Sequence, residues 1–236
     1  MPTDQAIETR PTLHMIGNGH IDPVWLWPWP EGFHEVTATF RAALDRIAES
    51  DDFVFTASSA AMYEWVEKQQ PAMFDEIKRR VTEGRWVIVG GWWVQPDCNL
   101  PSGESFVRQA LYGQRYFLEK FGRTATVGYN VDSFGHHAML PALLRGAGLD
   151  SYVFMRPQEH EMGLPGRLFH WEGADGSRVL AFRIPYAYTS RDNLPTHVER
   201  CATELRPPLM ESMCFYGVGN HGGGPTKESL QWIRDH

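Results

Sequence analysis

The stretch 125–155, ATVGYNVDSFGHHAMLPALLRGAGLDSYVFM, reads as a strand over 125–130, a helix over 137–147 and a second strand over 151–155. Two apolar runs joined by a helix form a βαβ unit, whose strands lie parallel in one sheet. The rhythm extends in both directions. Upstream lie strand 13–18, helix 34–49 with Val36, Phe40, Leu44 and Ile47 on one face, strand 53–57, helices 59–68 and 71–83, strand 86–90 and helix 104–120. Ser102 is placed to cap that last helix, with Glu104 in its first turn. Downstream, 168–171 and 178–184 flank Ala174-Asp175-Gly176-Ser177, a hairpin signal, and read as an insertion. Helix 196–205, strand 213–218, a glycine-rich turn and a helix from near Thr226 resume the series. The fold class is α/β with a mostly parallel sheet. The series stops inside a helix at His236, the pattern expected of a fragment of something longer.

Composition bounds the function. The 236 residues are 42% hydrophobic, enough for one large core, and the net charge of −7 without a basic cluster argues against nucleic acid or an anionic membrane as partner. The N-terminus has no apolar signal core and no run approaches membrane-spanning length, so the expected compartment is the cytoplasm. Residues 1–11 are expected to form a disordered tail ahead of a domain over 12–236. Cys98, Cys201 and Cys214 lack metal-ligand spacing and read as reduced, buried thiols. Nine Trp, eight Tyr and thirteen Phe fit either an aromatic core or a carbohydrate site.

Ligands of parallel α/β folds bind where the strands end at their carboxyl side. Five polar or glycine-rich segments fall there: His20/Asp22, the 91–103 loop, Asp132, Arg156 and the 217–225 turn. An i, i+2 pair on a strand shares a face, so His20 and Asp22 could converge on a cation, or merely hydrogen-bond at a strand end. Trp25 offers an indole on which a sugar ring can stack. Asp132 reads alone as a helix N-cap; on the same sheet edge as His20 and Asp22 it could be a third ligand of a catalytic metal site, and the nearby His136 and His137 could coordinate or orient, or belong to the helix that follows. Asp97 and Asn99 fit sugar hydroxyls and turn formation about equally. The 217–226 turn has neither a P-loop nor a Rossmann fingerprint, and reads as a tight turn that a bulky substrate can approach.

Taken in order, GHIDPVWLWP, GGWWVQPDCNLPSGESFVRQ, GYNVDSFGHHAMLP with YVFMRP, and GVGNHGGGPT resemble the N-terminal catalytic domain of glycoside hydrolase family 38, the retaining α-mannosidases, over about residues 12–232. The resemblance implies a (β/α)7-barrel-like domain, incomplete at its C-terminus, with one Zn2+ ion held by His20, Asp22 and Asp132. Asp132 matches the catalytic nucleophile; Trp25, Phe134 and Arg156 match substrate-binding positions. The reaction it implies is hydrolysis of terminal α-mannosidic bonds in an oligosaccharide or glycan, by double displacement through a glycosyl-enzyme. A neighbouring cation favours the ionised form of a carboxylate nucleophile and can also bind vicinal hydroxyls.

Two departures qualify the match. The family's fourth zinc ligand, a His in a later segment, has no counterpart before His236, and the glycine-rich turn carries Asn220 and His221 where some relatives carry an acid, which leaves the general acid/base unassigned. Two alternatives stand beside this reading: a metal-dependent polysaccharide deacetylase, in which metal-bound water would attack, and an inactive carbohydrate-binding fragment. Homo-oligomerisation is left open.

Overall fold

In a computed structural model, residues 10–190, 193–219 and 222–236 are described. The elements alternate as expected: β1 Thr12–Asn18, α1 Trp29–Glu49, β2 Phe55–Ala57, α2 Ala60–Gln69, α3 Pro71–Thr82, β3 Trp86–Ile88, α4 Gly103–Phe121, β4 Val127–Asn130, α5 Leu140–Gly146, β5 Ser151–Phe154, β6 Leu168–Glu172, β7 Arg178–Arg183, α6 Leu194–Ala202, β8 Glu211–Tyr216 and α7 Lys227–Asp235. The tail expected over 1–11 lies, for residues 1–9, outside the described residues. No helix among the described residues is long and apolar enough to cross a membrane.

The strands form two four-stranded sheets, β3-β2-β1-β8 and β4-β5-β7-β6. Every ladder is parallel except β6 with β7. The sheets meet at a seam where Gly90 N donates to Val127 O at 2.7 Å. Their inner faces enclose one layer of side chains, with Tyr129, Val153, Phe182 and Phe215 from β4, β5, β7 and β8 and Val89 from the end of β3. This is a barrel-like arrangement, with an apolar layer taken from both sheets.

The hairpin differs from its reading as an insertion. β7 pairs in parallel with β5, Ser151 opposite Leu180 through Phe154 opposite Arg183, so it belongs to the parallel sheet and only β6 is added to it. The period-2 pattern that signalled a hairpin is the same whichever strand then joins the sheet.

The helices pack outside. On α1 the buried stripe Gly32, Val36, Phe40, Ala43, Leu44 and Ile47 follows the 3.6-residue period and meets an aromatic cluster. Trp86 lies at its centre, with ring centroids 4.8 Å from Phe55 and 5.1 Å from Phe40. Its indole donates to the Tyr63 hydroxyl at 2.8 Å, which donates to Ala57 O at 3.1 Å, so both buried polar atoms are satisfied. Each such ring pair contributes about 0.5–1.5 kcal/mol beyond area burial. Ser102 caps α4 as expected, accepting from Ser105 N.

Candidate active site

The residues singled out from the sequence gather on one cavity of about 1050 Å³, lined by His20, Asp22, Trp25, Asp132, Phe134 and Arg156 among others. It opens at the carboxyl ends of the parallel strands.

His20 and Asp22 do not lie on a strand, since β1 ends at Asn18, so the same-face argument from strand geometry does not apply. The turn after β1 brings them together all the same: His20 Nε2 is 3.4 Å from Asp22 Oδ1. That nitrogen is buried and makes no hydrogen bond to any described residue. A buried, unsatisfied imidazole nitrogen beside a carboxylate is costly unless something else binds there. The His20 ring meets Tyr188 edge-on at 5.2 Å. Trp25 is 56% exposed at the mouth, in edge contact with Trp27, and the Trp27 indole donates to Asp22 O at 3.3 Å.

Asp132 is not a helix cap, because α5 starts only at Leu140; His136 and His137 sit in the loop before it rather than in the helix. The Asp132 carboxylate instead accepts from Arg156, whose Nη2 and Nε lie 3.2 and 3.3 Å from Oδ1. The guanidinium also stacks over Phe134, 4.4 Å from its centroid, while Phe134 remains 63% exposed. Asp132 faces the same cavity as His20 and Asp22, but these three do not form a set of donors lying within 4.8 Å of one another.

The loop between β3 and α4 supports this wall. Asp97 Oδ1 accepts from Asn99 N and Leu100 N, both at 2.8 Å, so the residue forms a turn while also lining the cavity; these N–H groups hold its carboxyl below the usual range. Asn99 donates through its amide to Phe134 O, and a Cβ on Gly135, at φ 81°, would collide with that amide. Ser133 Oγ donates to Pro96 O at 3.1 Å, and Trp92 Nε1 donates to the buried Asn130 Oδ1 at 3.0 Å.

Several lining residues were missed from the sequence: Tyr186, Tyr188 and Thr189 follow β7, whose segment had been set aside as an insertion. Their signal was the one used elsewhere, position just after a parallel strand. Tyr186 has φ 63°, uncommon for a non-glycine residue. Its hydroxyl donates to Glu204 Oε1 at 3.0 Å, and Glu204 is bidentate to the buried Arg167 at 2.8 Å through both oxygens. The Arg167 guanidinium holds the Glu204 carboxyl below the usual range. Asn220 and His221, the open question for the general acid/base, lie outside the described residues.

A second cluster was also unforeseen. His197 and Cys201 share a face of α6, and with Cys214 of β8 their donor atoms lie within 4.8 Å of one another, all buried. Cysteine spacing alone hid this, because the contact joins a helix to a strand. His197 Nε2 lies 2.9 Å from Phe215 O, and a hydrogen bond between the thiols lowers Cys201 and raises Cys214. The cluster lies away from the cavity lining. The three thiols are free and buried, as expected.

Residues 10–236 match the Glycosyl hydrolases family 38 N-terminal domain. The chain is 34% identical over 230 residues to Alpha-mannosidase 2C1 of Mus musculus, covering 96% of this chain and 22% of that protein. It is 33% identical over 226 residues to Alpha-mannosidase of Saccharomyces cerevisiae, covering 94% and 21%. Among solved structures, an alpha-mannosidase from Enterococcus faecalis superposes with a TM-score of 0.78 at 19% identity, over 94% of this chain and 26% of that one, a likeness of fold. The chain spans about a fifth of the length of the curated relatives it matches. With a family match over all but its first nine residues, the α/β barrel-like fold and the cavity where the four sequence motifs meet, the chain belongs to glycosyl hydrolase family 38.

Proposed function

We propose that the chain carries the catalytic face of a zinc-dependent retaining α-mannosidase acting on terminal mannose of an oligosaccharide or glycan, in the cytoplasm. The observation that carries the reading is the cavity itself. It brings an imidazole with an unsatisfied nitrogen beside a carboxylate, a second carboxylate clamped by a guanidinium and an exposed indole to one place, in a chain with curated relatives named alpha-mannosidases. The cytoplasmic reading rests on three buried, free thiols.

A nitrogen and carboxylate oxygens form a donor set that suits zinc, and the unsatisfied His20 Nε2 is the atom such an ion would engage. His20 and Asp22 would hold it, with Asp132 as third ligand from the facing wall. When bound, zinc supplies Lewis-acid binding of adjacent sugar hydroxyls.

The residues do the rest. Trp25 stacks on the apolar face of the sugar and excludes water from it. Arg156, donating twice to one oxygen of Asp132, fixes the rotation of that carboxylate, and Phe134 backs the guanidinium. Asp132 attacks the anomeric carbon as the glycosidic bond breaks; a second carboxyl group protonates the leaving oxygen, then deprotonates the water that releases mannose. Incubation with a fluorinated α-mannoside followed by peptide mapping tests this. A sugar covalently on Asp132 supports it, whereas turnover of an acetylated polysaccharide with no labelled peptide favours a deacetylase.

A further inference from the structure

We propose that His136 is a positioning residue for the reaction described above, tying the loop that carries Asp132 to the backbone of Arg156 and so holding the carboxylate and guanidinium in register across two strands. The inference rests on that functional reading and gives a role to a residue of the third motif that does not line the cavity.

The geometry is specific. His136 Nε2 lies 2.6 Å from Arg156 O, and Nδ1 lies 3.1 Å from the Tyr152 hydroxyl. A carbonyl only accepts, so Nε2 carries the hydrogen and Nδ1 accepts from Tyr152, one tautomer satisfying both contacts. Burial favours the uncharged ring by lowering its proton affinity. Three aromatic rings hold the imidazole on edge: Tyr152 at 5.6 Å and Phe154 at 5.0 Å, two residues apart on β5, and Trp171 at 5.8 Å from β6. The strand added outside the parallel sheet therefore contributes one wall of this box.

Other hydrogen bonds of the Asp132 loop run toward the β3–α4 loop: Ser133 to Pro96 O, and the Asn99 amide to Phe134 O. The His136 bond runs instead to the end of β5, where Arg156 sits. Without it, Arg156 is joined to this loop by the ion pair itself and by the Phe134 ring. A carboxylate held by a movable partner loses its alignment with the anomeric carbon, and a displacement of about 1 Å costs on the order of 100-fold in rate.

The test compares His136→Phe, which fills the aromatic box without a donor, with His136→Gln, whose amide can donate to Arg156 O, in the full-length protein. With an aryl α-mannoside, H136F is expected to lose about 10- to 100-fold in kcat with KM little changed, and H136Q to recover to within about threefold of the unmutated value. Unmutated kcat in H136F, or an equal loss in both variants, overturns the proposal. Crystal structures of the two variants decide it independently of turnover. Separation of Arg156 from Asp132 in H136F but not in H136Q supports it, and an intact pair in H136F overturns it. If the unmutated protein hydrolyses no mannoside, the functional reading fails while the crystallographic comparison still decides the role of His136.

Discussion

Gly32, in the first turn of α1, packs against the backbone of Pro23 so closely that a Cβ at position 32 would lie 1.9 Å from Pro23 O. The turn holding His20, Asp22 and Trp25 is thus pressed directly onto a helix backbone. Gly32→Ala must displace this turn or the helix, and is expected to cost about 1–3 kcal/mol, the usual range for overpacking. Gly103→Ala, at a helical glycine with no atom near the added Cβ, is the neutral control. Urea unfolding of the two variants measures both, and an unperturbed midpoint for Gly32→Ala would contradict this contact.

Asp132→Asn is expected to keep the fold and abolish turnover. The amide preserves shape and lies on the cavity wall rather than in the core, so far-ultraviolet circular dichroism and Tm should stay near their unmutated values. Loss of the nucleophile should lower kcat on the order of 1000-fold or more. Activity near the unmutated level would remove Asp132 from the proposed role.

The zinc proposed to engage the unsatisfied His20 nitrogen predicts metal dependence. Removing zinc with a chelator is expected to abolish hydrolysis and lower Tm, since a ligand at 100 times its Kd stabilises the folded state by about 2.7 kcal/mol. His20→Ala should then bind less than one-tenth of the zinc found on the unmutated protein, by elemental analysis after dialysis. Full zinc content in His20→Ala would transfer the site elsewhere, with His197, Cys201 and Cys214 the first place to look.

The Arg167–Glu204 pair sets an acid limb of stability. Arg167 lowers the Glu204 pKa in the folded state, so the folded state prefers the ionised carboxylate more strongly than the unfolded chain does. The contribution is fully present above the unfolded value, about 4.3, and is lost as pH falls through the lower folded value. Glu204→Gln removes the bidentate partner of the buried Arg167 and leaves it the exposed Glu159 carboxylate at 3.0 Å, so the loss near pH 7 should be about 1–3 kcal/mol. The gap between the two proteins should shrink as pH drops below about 4, which chemical unfolding across that range measures. A pH-independent gap would mean that packing, not charge, carries the effect.

Much of the architecture was legible from periodicity. The α1 stripe from Val36 to Ile47 and the apolar runs of β1, β4, β5 and β8 carry their structure in local pattern, because burial on one face imposes a period of 3.6 or 2. Boundaries were less legible: α5 starts at Leu140 rather than at 137, since His136 turns inward to the β5 end and Asn99 pins the chain at Phe134. Sequence position placed His20, Asp22, Asp132 and Arg156 at the carboxyl ends of strands on one sheet edge, whereas those strands belong to two sheets whose ends line one cavity. What it could not supply was the distance between them, or the partners Tyr186 and His136, whose roles depend on contacts between segments far apart in the chain.

The junction between the two sheets separates the chemistry into halves. His20 and Asp22 follow β1 in one sheet, while Asp132 and Arg156 follow β4 and β5 in the other, and the backbone contact from Gly90 to Val127 lies between β3 and β4. A small rotation of one sheet against the other alters the gap between the imidazole and the Asp132 carboxylate while leaving each ladder whole. The width of the proposed reaction centre therefore depends on how the two sheets meet, and a substitution at Gly90 or Val127 is expected to change it from outside the cavity.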